Sequence, residues 1–137
     1  MTPPASVNNT SVIVLLMLMI SGWLAVLFFE SSLPPAAFMA EVPGLDKIAH
    51  FLAFGVLGLL VCAVSFRLNP RPAIPLFSLP LAVVALSGII EESYQLLIPG
   101  RTASLPDLLA DICGAVFSIV VANRIALQSR IYCGLGS

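Results

Sequence analysis

The sequence predicts an all-α polytopic membrane protein, a bundle of four transmembrane helices, on three observations. Hydrophobic residues fill 59% of the 137 positions and charged residues only 9%, whereas a soluble domain carries about a quarter charged residues. Mean hydropathy is +1.06, so water cannot be the main solvent. The apolar residues also fall into four runs, each long enough to cross a bilayer and separated by segments that hold Pro, Gly or Arg. The length suits a single domain, expected to take in the whole of residues 1–137.

The first run, Ser11 to Phe29, would be roughly 28 Å long as a helix, close to a hydrocarbon core of about 30 Å. A cleaved signal peptide is the competing reading. Residues 1–10 hold no Lys or Arg and the run exceeds a usual signal-peptide core, so a helix near 11–29 is expected instead. Glu30 to Leu45, rich in Pro, Ser and Ala with breakers at Pro34-Pro35 and Pro43-Gly44, reads as a loop. A second helix is expected near 47–66, stopped by the basic turn from Arg67 to Pro72. The third run covers 73–98, and even the part after Pro80 would reach roughly 28 Å. Pro99-Gly100 ends it. The fourth helix is expected near 107–127, leaving a short tail with Arg130.

Four spans put both termini on one side. Arg67, Arg71, Arg124 and Arg130 fall with the termini and the second turn, against Lys47 and Arg101 at the other end. The excess of positive charge predicts cytoplasmic termini in a multi-pass protein. The six Lys and Arg are scattered singly, which argues against a nucleic-acid partner. Cys62, Cys113 and Cys133 show no CxxC spacing and read as unpaired thiols. Membrane lipids are the expected surroundings, and the sequence leaves the oligomeric state open.

Most ionisable groups gather at the end predicted to be extracytoplasmic. Asp46, Lys47 and His50 open the second helix, Glu91, Glu92 and Gln95 lie in the last turns of the third, and Arg101, Ser104, Asp107 and Asp111 span the next loop and the start of the fourth. Asp46 with His50, Glu92 with Gln95, and Asp107 with Asp111 are three or four apart, so each pair shares a helix face. Ala110, Gly114, Ser118 and Ala122 continue the face on the fourth helix with the small residues that let membrane helices approach closely. Replacing Gly114 by Leu is therefore expected to disturb assembly more than replacing Ile119 by Leu. A carboxylate at a helix centre costs about 2.5–3.5 kcal/mol on insertion scales, so convergence on one pocket, with Glu92 facing Arg101 or His50, is the expected arrangement.

Folding roles compete with function at several of these positions. Asp46 can cap the second helix, Ser104-x-x-Asp107 matches a capping box, Lys47 can snorkel, and His50 can be a satisfied interior imidazole. Neither capping nor snorkelling explains Glu92 with Gln95.

Asp46-Lys47-x-x-His50-Phe51, Glu91-Glu92-x-x-Gln95, Pro99-Gly100-Arg101, Ser104-x-x-Asp107 and Gly114-Ala115 together closely resemble the VanZ-like family of small bacterial integral membrane proteins, named for a member associated with teicoplanin resistance. The resemblance runs from Asp46 to about Ala122. One departure is Asp111, where the family usually has Asn: an amide donates as well as accepts, a carboxylate only accepts unless protonated. The resemblance implies a bacterial inner membrane and a cell-envelope role, and it supplies no settled reaction.

Three functions follow, in order of preference. The first is a site that binds a lipid head group or an envelope precursor, using Asp46, Lys47, His50, Glu91, Glu92, Gln95, Arg101, Ser104, Asp107 and Asp111. Arg101 and Lys47 would contact phosphate, and the acids and Gln95 would take up amine or hydroxyl donors. The second is a membrane enzyme acting on a lipid-linked or envelope substrate, with His50, Glu92 and Asp107 as candidate catalytic groups. HExxH, GxSxG and a Gly-rich phosphate loop are all missing from the sequence. A transporter comes last, because the charges cluster at one end and form no relay. No ligand spacing commends a metal, and no cofactor is expected.

Overall fold

The computed structural model describes residues 8–34, 42–69 and 77–134, with side chains to Ser129. Among these residues there are four helices: α1 (Asn9–Ser31), α2 (Leu45–Leu68), α3 (Ser78–Gln95) and α4 (Leu105–Gly134). There is no strand among the described residues. The protein is an all-α membrane protein: α1, α2 and α4 are long and apolar enough to cross a bilayer, and the 18 residues of α3 amount to roughly 27 Å. Arg71 lies outside the described residues, as do the side chains of Arg130 and Cys133.

Local chemistry sets the ends of the helices. The Asn8 side chain accepts from the Thr10 N–H at 3.1 Å and caps α1. Gly44 precedes α2 at φ 83, a left-handed conformation that a Cβ would strain. Asp46, read as a possible cap, makes no cap hydrogen bond and binds Lys47 instead. Pro80 is buried in the first turn of α3, where its missing N–H costs no helical bond. α3 stops at Gln95, three residues before Ile98: Leu97 and Ile98 donate to Tyr94 and Gln95 in a tighter turn, and Gly100 reverses the chain at φ 83.

Some helices overrun the ends expected of them: α4 continues seven residues past Leu127 to Gly134, and α1 runs on past its apolar stretch. The helix continues past Phe29 through Ser31, and Ser31 is its one buried residue. A polar Glu-Ser pair after an apolar run looks like the start of a loop, but here Ser31 faces protein while Glu30 stays exposed.

The core is Phe54, Leu57, Val61, Val84 and Ala115, with Trp23, Leu24 and Leu27 of α1 packed against it. Its tightest seam lies between α2 and α4. A Cβ at Gly114 would come within 2.1 Å of the Phe51 carbonyl oxygen, and Gly55 and Gly58 face Ser118 and Ala115. Glycine alone permits that approach. Ser118 donates across the seam to the Gly55 carbonyl at 2.7 Å. Ile119 is itself fully buried, so Phe117, which is exposed, is the proper lipid-facing comparator for Gly114.

α1 is attached differently. It is apolar on every side, and polar contacts locate it. Trp23 Nε1 donates to the Ala53 carbonyl of α2 at 2.9 Å, and Ser32 Oγ lies 2.9 Å from the Tyr94 hydroxyl.

Candidate functional site

Chain connectivity brings the start of α2, the end of α3 and the start of α4 to one end of the bundle, and α1 closes that end with its last turn. All ten residues expected to form the site lie there, nine of them in three groups and Arg101 apart.

The first is a charge chain at the rim. Lys47 Nζ bridges Asp46 at 2.8 Å and Asp107 at 3.0 Å. Lys47 and Asp46 are half-exposed, while Asp107 is buried. The ammonium thus sits between two carboxylates, not free in the interface.

The second group lies deeper. His50 Nδ1 is 2.9 Å from Asp111 Oδ1, and Asp111 is 0% exposed. His50 Nε2 has no hydrogen-bond partner among the described residues. The other oxygen, Asp111 Oδ2, is buried without a partner.

In the third group, the two glutamates of α3 diverge. Glu91 Oε1 accepts from the Ser31 hydroxyl and from Gln95 Nε2, the latter at 3.1 Å. Glu92 Oε2 accepts the Ser104 backbone N–H at 2.7 Å. Gln95 therefore pairs with Glu91, four residues away, and not with Glu92. Ser104 forms half of the expected capping box: its hydroxyl accepts from the Asp107 N–H at 3.4 Å, but Glu92 takes the reciprocal place expected of Asp107. Glu91 Oε2 and Glu92 Oε1 are buried without partners.

These groups meet around His50. One ligand atom each from His50, Glu92 and Asp107 lie within 4.8 Å of one another, and so do those of His50, Glu91 and Asp111. Glu92 thus faces His50 and Asp107, as convergence requires. It does not face Arg101 in a hydrogen bond: Arg101 donates through Nε to the Leu33 carbonyl at 2.8 Å and through a terminal nitrogen to the Glu30 carbonyl at 2.9 Å. The guanidinium satisfies the Leu33 carbonyl just beyond α1 and adds a second donor to the Glu30 carbonyl, which also accepts the Leu33 N–H at 3.1 Å.

A cavity of about 100 Å³ opens beside the cluster, lined by Asp46, His50, Glu91, Gln95 and Arg101 and, from α1, by Leu27, Glu30 and Ser31. The contribution of α1 was not legible in the sequence. Its only trace there is the polar run Glu30-Ser31-Ser32. Five carboxylates, Asp46, Glu91, Glu92, Asp107 and Asp111, gather here, and apart from His50 the one cation bonded to any of them among the described residues is Lys47. What the site offers inward is acceptors. Both cations expected to hold phosphate are already engaged.

A family model described as VanZ/LLP1 matches residues 5–127, taking in α1, α2, α3 and α4 as far as Leu127. No curated protein and no solved structure matches the chain.

Proposed function

The chain belongs to the VanZ/LLP1 family, and from that premise we propose that it is a bacterial cell-envelope protein whose acidic site binds a lipid head group or a lipid-linked envelope precursor. The excess of Arg in the turn after α2 and beyond the middle of α4 supports cytoplasmic termini and an extracytoplasmic site. The observation that carries the reading is the set of three buried carboxylate oxygens without partners, Glu91 Oε2, Glu92 Oε1 and Asp111 Oδ2. A buried acceptor left unmade costs about 1–3 kcal/mol, and more when charged, so a ligand that brings hydroxyl or amine donors recovers that cost on binding. Arg101 and Lys47 frame the entrance instead of gripping phosphate.

The ten residues have distinct parts in this reading. Glu91, Glu92 and Asp111 supply acceptors to the ligand, and Gln95 and Ser104 hold the glutamates in place. Asp46, Lys47 and Asp107 form the rim, His50 lines the wall, and Arg101 fixes α1 against it.

The experiment is lipid analysis by mass spectrometry on protein purified in mild detergent. Wild type is expected to retain one envelope lipid or precursor well above its share of the bulk membrane. Glu92→Gln should lose that enrichment while expressing and melting normally, because removing the charge also removes its desolvation cost. Identical lipid profiles for the two proteins would refute the reading.

A second reading, catalysis on the same class of substrate, is favoured by one feature. The His50–Asp111 hydrogen bond orients an imidazole whose other nitrogen has no partner among the described residues, as in a general base held by a carboxylate. In the same analysis run on whole cells, a chemically altered lipid that disappears with His50→Gln would identify an enzyme.

A further inference from the structure

We infer that His50, Glu91 and Asp111 form a binding site for one divalent transition-metal cation, Mn2+ or Zn2+, at the inner end of the acidic cavity. Sequence spacing names no such set, because its members come from α2, α3 and α4 and only the fold assembles them.

Distances come first. Two donors at about 2.1 Å from one ion are at most about 4.2 Å apart, and neighbouring donors of an octahedral site are about 3.0 Å apart. His50 Nδ1 and Asp111 Oδ1 already stand at 2.9 Å, and the ligand atoms of the triad lie within 4.8 Å of one another. The His50–Asp111 pair already has the spacing of neighbouring donors, and a side-chain adjustment on the order of 1–2 Å brings Glu91 to the same ion.

The second observation is independent of clustering. Glu91 is 5% and Asp111 0% exposed, and each keeps one buried oxygen with no partner. The space for one of those oxygens depends on a glycine: a Cβ at Gly88 would lie 2.9 Å from Asp111 Oδ2. Glu91 is also braced as metal ligands are, since Ser31 and Gln95 donate to its other oxygen.

Charge decides between the two triads. In the other set, Asp107 already has the Lys47 ammonium at 3.0 Å. Neither Glu91 nor Asp111 is hydrogen-bonded to a Lys or Arg among the described residues, so a neutral imidazole and two carboxylates leave −2 for a divalent ion to balance. One nitrogen among oxygens suits Mn2+ or Zn2+ better than Ca2+ or Mg2+, which prefer oxygen alone. His50 and Glu91 both line the cavity, giving the ion a route in and a free side for water or a head-group oxygen.

This deepens the head-group reading, and its test is kept separate from the lipid profile, so that either can fail alone. Full-length protein in detergent is stripped with EDTA and titrated with Mn2+ and with Zn2+ by equilibrium dialysis. Wild type should take up one equivalent of one of these ions, raising its Tm. Glu91→Gln and His50→Gln should bind at least tenfold more weakly, the usual scale of loss at a disturbed metal shell, with metal-free Tm close to wild type. Spin-echo spectra of the Mn2+-loaded wild type should show coupling to one imidazole nitrogen, a readout that needs no variant to fold. Substoichiometric uptake by folded wild type, uptake unchanged in both variants, or bound Mn2+ without nitrogen coupling would overturn the proposal.

Discussion

The two ends of the bundle satisfy their polar groups in different ways. At the end opposite the acids, side chains bond to their own helix: Ser65 to the Val61 carbonyl at 2.8 Å, Asn123 to Ile119 at 2.9 Å and Ser129 to Ala126 at 2.9 Å. Between helices there, Asn9 donates to the Arg67 carbonyl in a bond that is exposed and long at 3.4 Å. At the acidic end, local bonds such as Gln95 to Glu91 stand beside a set that crosses from one element to another: Ser31 to Glu91, His50 to Asp111, Lys47 to Asp107 and the Ser104 N–H to Glu92. The buried side-chain atoms without partners are also there. A fold needing only to hide polar groups from lipid would use the local solution throughout, because it asks nothing of neighbouring helices. The acidic end carries orphaned acceptors that folding alone would have eliminated.

The largest effect that would break this comparison is all-or-none. With the native cysteines removed, Ala103→Cys at the acidic end should react with an impermeant maleimide in intact cells, and Ser129→Cys only after permeabilisation. The reverse pattern would turn the acidic end to the cytoplasm.

Next in size is Gly114→Leu. Its Cβ would overlap the Phe51 carbonyl, and relief requires moving a backbone, so the cost should exceed the about 1–3 kcal/mol of ordinary overpacking. Phe117→Leu, on a lipid-facing position, should melt in detergent within a few degrees of wild type. Equal melting of the two would mean that the α2–α4 seam is not what joins the ends.

The smallest effect belongs to the opposite end. Ser65→Ala removes a bond internal to α2 and should shift stability by no more than about 0.5 kcal/mol. A large loss in denaturation, or any change in the lipids retained, would show that this end too does more than fold.

The sequence carried the helices well and the pairings poorly, for a physical reason. A long apolar run bounded by Pro and Gly has few alternatives in a bilayer, so four helices were legible, as was the gathering of His50 with its acids at one end. Spacings of three and four both put two residues on one face, and they could not decide whether Gln95 serves Glu91 or Glu92. The roles of Arg101 and Ser31 depend on how α1 is rotated about its own axis, and that angle is set by other helices.

That rotation gives the Trp23 bond to the Ala53 carbonyl a meaning beyond attachment. A cylinder that is equally greasy all round has no preferred azimuth in a bilayer, so the apolar residues of α1 cannot specify which side meets protein. The specification falls to a few polar points at different heights: the indole nitrogen of Trp23 midway along, then Ser31, Ser32 and the carbonyls held by Arg101 at the end. Most of α1 should accordingly accept any exchange among aliphatic side chains, while the information that orients it is concentrated in a handful of positions, all but Trp23 gathered at the end beside the cavity.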